Sequence, residues 1–269
     1  MLGLGSNLVY DASSSAARFG DSFVNTKSLR LDGLNDFAQF PAANTFESVL
    51  SASVGFTISA WMKYDIPPSS QGSTGNSLLG QSVEFIDGSL TVLSLGTVFG
   101  PGHTTQASRN TMKVSLVKGS STYFDTVVED IDDYLTDGDW FHFVYVSNSS
   151  GGTRTGNIYI NGVNRTSTHN STADNFSSVG LQGLRMGANY QLGSLVHYTQ
   201  GNLDEYSWYS TAVDQTRVAQ IYNSGCPLDE ATAGSLVGYW RMEDSDDDSS
   251  SNSNSITRTG ARFGADTPC

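Results

Sequence analysis

FTISAWMKY, residues 56–64, alternates side chains along an extended chain. Phe56, Ile58, Ala60 and Met62 fall on one side and Thr57, Ser59, Trp61 and Lys63 on the other. That period of two predicts a strand with one face in a core. A second run, WFHFVYV from Trp140 to Val146, is apolar on both faces. It predicts a central strand covered by a facing sheet on one side and by loops or a partner on the other. His142 inside it reads as a packed histidine, because no acid or nucleophile stands beside it in a triad pattern. EFIDGSLTV and NIYINGVNR predict hairpins turning at Asp87-Gly88 and Asn161-Gly162, dipeptides that accept the positive φ of a tight turn.

Outward from these runs, short β-rich segments recur between clusters of Gly, Asn, Asp and Ser, the pattern of a sandwich and not of alternating strand and helix units. One short surface helix is predicted from Asp214 to Tyr222: Asp214 caps it, Val218, Ile221 and Tyr222 share a face, and Gly225 stops it. DSDDDSSSNSNS, residues 244–255, lacks an apolar residue and in isolation would be a mobile loop. AARFGDS at 16–22 echoes GARFGAD at 260–266, which predicts two edge strands built alike.

The 269 residues suit one sandwich. Only 15% are charged, so Ser, Thr, Asn and Gly supply the polar surface. The net charge of −13 argues against a nucleic-acid backbone as partner and is compatible with calcium or a neutral glycan. No apolar run approaches the roughly 20 residues a membrane helix needs, so no membrane insertion is expected. The opening MLGLGSNLVYDASSS lacks the basic and apolar regions of an export signal. Cys226 and Cys269, each beside a proline, could form a bridge or stand as free thiols, and zinc or redox spacings are missing.

Six segments together resemble the laminin-G-like family of concanavalin A-like jelly rolls, in the branch related to pentraxins. They are SLRLDGLNDFAQFP from Ser28, FTISAWMK from Phe56, DGDWFHFVYV from Asp137, GNIYINGV from Gly156, GNLDEYSWYSTAVD from Gly201 and QIYNSG from Gln220. The resemblance implies an all-β, two-sheet antiparallel sandwich with one short surface helix. Residues 1–269 would form one such domain, with 1–27 and 236–269 as terminal strands or arms. LVGYWRMEDSDDDSSSNSNS looks like the segment with which family members begin, yet here it stands last. Either it closes the same sandwich, the favoured reading, or it is the stub of an adjoining unit.

The resemblance also implies a structural calcium, and nominates Asp204 in the NLDEY motif as a ligand. Glu243, Asp248 and Asp11 are candidates for further oxygens, although as turn residues they could equally be solvated. Asp244, Asp246 and Asp248 mimic an EF-hand start, but Ser249 and Ser255 occupy the positions that need Gly and Glu. Exposed rings at Tyr190, His197, Tyr198, Trp208 and Tyr209 are candidate sugar-stacking platforms, with core packing the competing fate of Trp208. Glycosidases of this fold family alternate Glu, Asp and Glu along one strand. Glu129, Asp130, Asp132 and Asp133 are unevenly spaced, and GxSxG and phosphate-cradling loops are absent.

These features point to a non-catalytic binding or structural module. Acidic adhesive composition without an export signal suggests a bacteriophage virion surface protein, decorating a capsid or serving as a tail or fibre appendage. Its expected partners are capsid or tail proteins and sister copies in a homo-oligomer, with host-surface glycan as a further ligand. The alternative is a secreted or cell-surface calcium-dependent lectin.

Overall fold

The computed structural model describes residues 23–41, 48–49, 54–65, 78–79, 84–87, 90–98, 111–118, 122–136, 138–150, 152–169, 185–191, 194–196 and 198–269. Asp11, His197 and the AARFGDS segment at 16–22 lie outside them. The strands, in chain order, are β1 (Ser28–Asp32), β2 (Phe37–Gln39), β3 (Phe56–Tyr64), β4 (Leu78–Leu79), β5 (Glu84–Asp87), β6 (Leu90–Val98), β7 (Thr111–Lys118), β8 (Thr122–Glu129), β9 (Trp140–Ser150) and β10 (Thr153–Ile160). There follow β11 (Val163–Asn164), β12 (Thr168–His169), β13 (Arg185–Met186), β14 (Asn189–Gln191), β15 (Ser194–Val196) and β16 (Gln200–Tyr209). A helix α1 (Gln215–Tyr222) precedes β17 (Leu236–Trp240), β18 (Thr257–Thr259) and β19 (Arg262–Gly264).

The larger sheet runs β11-β10-β9-β3-β16-β1-β19, with β17 also paired to β16. The second runs β12-β8-β7-β6-β4, with β5 on β6. Small ribbons β13-β2-β18 and β14-β15 accompany them. The pairings described are antiparallel, as in a jelly roll. Phe56, Ile58, Ala60 and Met62 of β3 and Phe141, Phe143 and Tyr145 of β9 share one apolar core with Met112, Val114 and Val128 of the second sheet. The two sheets therefore face each other across the interior that the alternation predicted.

Both hairpins form. Asp87 pairs with Leu90. Ile160 pairs with Val163 across Asn161 and Gly162, whose φ values of 50° and 76° are those of a two-residue turn of the primed type.

The outer face of β3 departs from the expected polar surface: Thr57, Ser59 and Trp61 are buried. Helix α1 lies over that face. Val218 packs with Val144, Val146 and Tyr159, and Tyr222 stacks on Trp61 and His142 at ring separations of 5.9 Å each. Asp214 caps the helix by accepting from Arg217 N at 2.8 Å, and Asn223, at φ 46°, ends it ahead of Gly225. The cover on β9 is thus a helix of the same chain. His142 is packed beneath it, its Nε2 2.8 Å from Ser59 Oγ.

The acidic segment 244–255 is laced onto the sheet. Asp248 accepts from the backbone N–H groups of Tyr239 and Ser250 through Oδ1 and of Asn254 through Oδ2, at 2.8–2.9 Å. Asn252 and Asn254 donate to Leu236 O and Val237 O. Ser249 N donates to Tyr239 O. These bonds occupy the outer edge of β17, which would otherwise offer a row of free backbone groups. β18 then joins β2 and β19 joins β1.

Candidate functional site

Strand β16 pairs with β3 along one edge and with two different strands along the other: β1 opposite residues 200–203, and β17 opposite residues 206–209. Between them the register against β3 slips from Asp204 to Ser207, and Glu205 takes a left-handed φ of 49°. This is a β-bulge at the point where β1 and β17 part. The chain entering β1 (residues 23–27) and the chain leaving β17 (residues 241–243) both pass over this gap. Asp204 and Glu205 occupy it.

Neither carboxylate reaches solvent freely: Asp204 is 0% and Glu205 5% exposed. Asp204 Oδ2 accepts from Asn25 Nδ2 at 2.8 Å, and its Oδ1 accepts from Glu205 N at 2.9 Å. The Tyr239 hydroxyl donates to Glu205 Oε2. Glu205 Oε1 and Asn25 Oδ1 are buried without a hydrogen-bond partner. Burial, opposed by these hydrogen bonds, pushes both carboxyls well above the ordinary range, and the charge of Glu243 adds to the rise.

Glu243 roofs the gap. Its Oε1 accepts from Thr26 N at 2.7 Å and Lys27 N at 3.0 Å, and its Oε2 accepts from Thr26 Oγ1 at 2.7 Å. Arg241 also attracts the pair, although its guanidinium donates to Val24 O at 2.9 Å and lies over the Phe23 ring. Two desolvated carboxylates, with Glu205 Oε1 unpartnered, in a gap roofed by a further carboxylate, make a nest that can hold a proton or a small cation.

Of the nominated metal ligands, Asp204 and Glu243 come together here. Asp248 does not join them: its oxygens are held by three backbone N–H groups in the loop at 244–255. Among the described residues, no group of three or more His, Cys, Asp or Glu side chains is arranged to hold a metal. Glu205, Asn25 and Arg241 are absent from the sequence nominations. The adjacent acids in NLDEY were the available signal, but in a regular strand neighbours point to opposite faces, and only the bulge brings both into one gap.

The aromatic candidates disperse. Trp208 is fully buried against Phe56, edge to face at 6.1 Å, so it is a core residue and no platform. Tyr209 is 1% exposed and donates to Glu230 Oε2 at 2.6 Å, the same carboxylate that Arg217 binds. β16 is covered on both faces, which removes either ring from the surface. Tyr198 is half-buried, and Tyr190 falls on β14 opposite Leu195. Among the described residues no helix is long and apolar enough to cross a membrane.

Solved structures resemble this architecture. A Bacteroides ovatus protein described as a candidate carbohydrate binding protein aligns at TM-score 0.56 and 14% identity, over 90% of this chain and 60% of that one. This chain therefore spans less than two thirds of that protein. The heptameric SAP-like pentraxin of Limulus polyphemus aligns at TM-score 0.53 and 13% identity, over 93% of this chain and 99% of that one. At such identities the likeness is one of fold. None of the curated proteins matches the chain. Residues 32–219 match the laminin G family described as the concanavalin A-like lectin/glucanases superfamily, and with the matching two-sheet architecture this places the chain in that superfamily.

Proposed function

We propose that the protein is a non-catalytic glycan-binding module whose acidic nest at Asp204 and Glu205 takes a structural calcium ion. The observation that carries the reading is the lectin-type family match over residues 32–219. Its first support is chemical: Asp204, Glu205 and the unpartnered Asn25 Oδ1 are oxygen donors, the kind a hard cation selects. They are fewer than the six to eight oxygens calcium takes, so waters or backbone carbonyls would complete the shell. A bound ion would offset the charge of the two carboxylates and hold residues 23–27 and 241–243 together over the gap. Its second support is that the described carboxylates at 204, 205 and 230 are engaged in buried contacts and not paired across a cleft. Half-buried Tyr198 is a described candidate for stacking on a sugar face.

The test is a glycan array with the purified chain, in calcium and after chelation. Binding that is lost on chelation and restored by calcium is the expected result. No binding to any glycan with calcium present would overturn the glycan reading, and binding indifferent to chelation would overturn the calcium part. We further propose a virion surface as the place of display, on the strength of the acidic, Ser- and Asn-rich composition. Cryo-electron microscopy of particles containing the protein should show its density on the outside, and particles without it would remove that placement.

A further inference from the structure

We propose that the outer face of the larger sheet carries a binding site for an acidic saccharide, one bearing a carboxylate, and that the segment after β19 lies across it. The site is a row set by strand register. Arg262 of β19 stands opposite Arg30 of β1, Arg30 opposite Asn202 of β16, Asn202 opposite Lys63 of β3, and Lys63 opposite Trp140 of β9. Directly opposed residues share a face, so the five strands present one band of side chains. It lies one pleat along from Trp61 and His142, which Tyr222 of helix α1 covers. Three of the chain's 14 cationic side chains stand in this band, against a net charge of −13.

The row already holds a carboxylate. Beyond β19 the chain turns back over β1, where Asp266 O accepts from Ser28 Oγ at 2.5 Å. The Asp266 carboxylate accepts from Lys63 Nζ at 2.8 Å through Oδ2 and from Trp140 Nε1 at 2.9 Å through Oδ1. Burial raises that carboxyl, but the two bonds and the charge of Arg30 outweigh it and hold it below the ordinary range, so the row favours an anion. The polar groups behind it are fixed in advance. Ser28 and Asn202 are buried, Asn202 Nδ2 donates to Ser28 Oγ at 2.9 Å, and Arg30 Nη1 donates to Asn202 Oδ1 at 2.9 Å. The Asp266 side chain nevertheless stays 47% exposed, so a competing carboxylate can reach the same donors. A uronic acid carries that carboxylate on a ring with hydroxyl groups, which exposed Arg262 and half-buried Trp140 are placed to meet. The choice of a saccharide over an acidic peptide rests on the glycan reading above.

The test titrates the full chain and its Asp266→Ala variant with trigalacturonate by calorimetry, with maltotriose as the neutral control. If Asp266 occupies the row in about nine molecules of ten, the variant should bind the acid about tenfold more tightly than the wild type. Adding Lys63→Met should abolish that gain, and affinity for maltotriose should not change. In the wild type an excess of the acid should also move the Trp140 indole N–H resonance, a readout that does not depend on how the variants fold. Equal binding of the acid by wild type and Asp266→Ala, or an indole resonance that moves in neither, would overturn the site. Preference for acetylated triglutamate over trigalacturonate would overturn its saccharide class. None of these results bears on neutral sugars, so the glycan reading fails separately, only if the array stays silent.

Discussion

The sheet of β3, β9 and β16 buries ionisable groups in two places, and the two solve the problem differently. On its outer face His142 lies beneath Trp61 and Tyr222, with one ring nitrogen against Ser59. Desolvation lowers its pKa to about 3, so it is neutral at ordinary pH and burial costs it no charge. At the bulge, Asp204 and Glu205 are as deeply buried, and desolvation raises both carboxyls well above their ordinary range, so each must keep a proton or find a compensating charge. Imidazole discards its charge near pH 7, whereas carboxyl groups need a proton, a cation or a guanidinium. The first site therefore carries no charge, although His142 Nδ1 is buried there without a hydrogen-bond partner. The second is left with an electrostatic demand, and for that reason it is the better candidate for function.

The contrast breaks most readily at the cover. Trp61→Ala should cost about 3–5 kcal/mol in denaturant unfolding, because it removes a buried ring that both His142 and Tyr222 pack on. A loss near zero would mean that helix α1 does not shield this face. The nest is sharpened by Glu205→Gln, which removes one charge at nearly constant shape. Calcium at a hundredfold excess over its Kd should stabilise the wild-type chain by about 2.7 kcal/mol, and the variant should lose most of that gain. A thermal melt with and without calcium reads the difference, and equal shifts in both proteins would show that the nest is not where calcium binds.

Per unit of the variable changed, the smallest expected effect is the pH dependence of His142. The native state keeps it neutral down to about pH 3, while the unfolded chain takes up its proton below the ordinary 6.5. Unfolding thus binds a proton throughout that window, and stability falls as the pH drops, by about 1.4 kcal/mol per pH unit. The raised carboxyls of Asp204 and Glu205 act in the opposite sense, since the native state holds protons that the unfolded chain has released. The comparison should therefore be the wild type against His142→Gln, whose amide can still meet Ser59. Urea titrations from pH 7 to 4 should show the variant losing less stability than the wild type, and parallel curves would rule out the buried neutral imidazole.

Much of this was legible along the chain. The alternation in 56–64, the Asn161-Gly162 turn and the Asp214 cap are local, and each reappears in the structure with the residues that predict it. Family membership was readable from six such pieces in order. Less legible were the outer face of β3 and the fate of Trp208 and Tyr209. Alternation tells which residues share a face, but not whether a helix or a facing sheet will cover it.

What the sequence by itself determined, then, are the strands, their turns, the helix and its ends, because these depend on neighbours within a few residues. Only the tertiary structure decided that an Asp- and Ser-rich stretch, mobile by composition, would be stitched to β17 by Asp248, Asn252 and Asn254. It alone also decided that two adjacent acids would share one gap with Asn25 and Glu243. Both outcomes depend on where β1 and β17 separate along β16. That position is set by the pairing of Leu29 with Leu203 and of Tyr206 with Trp240, partners 174 and 34 residues apart, and no local pattern encodes it.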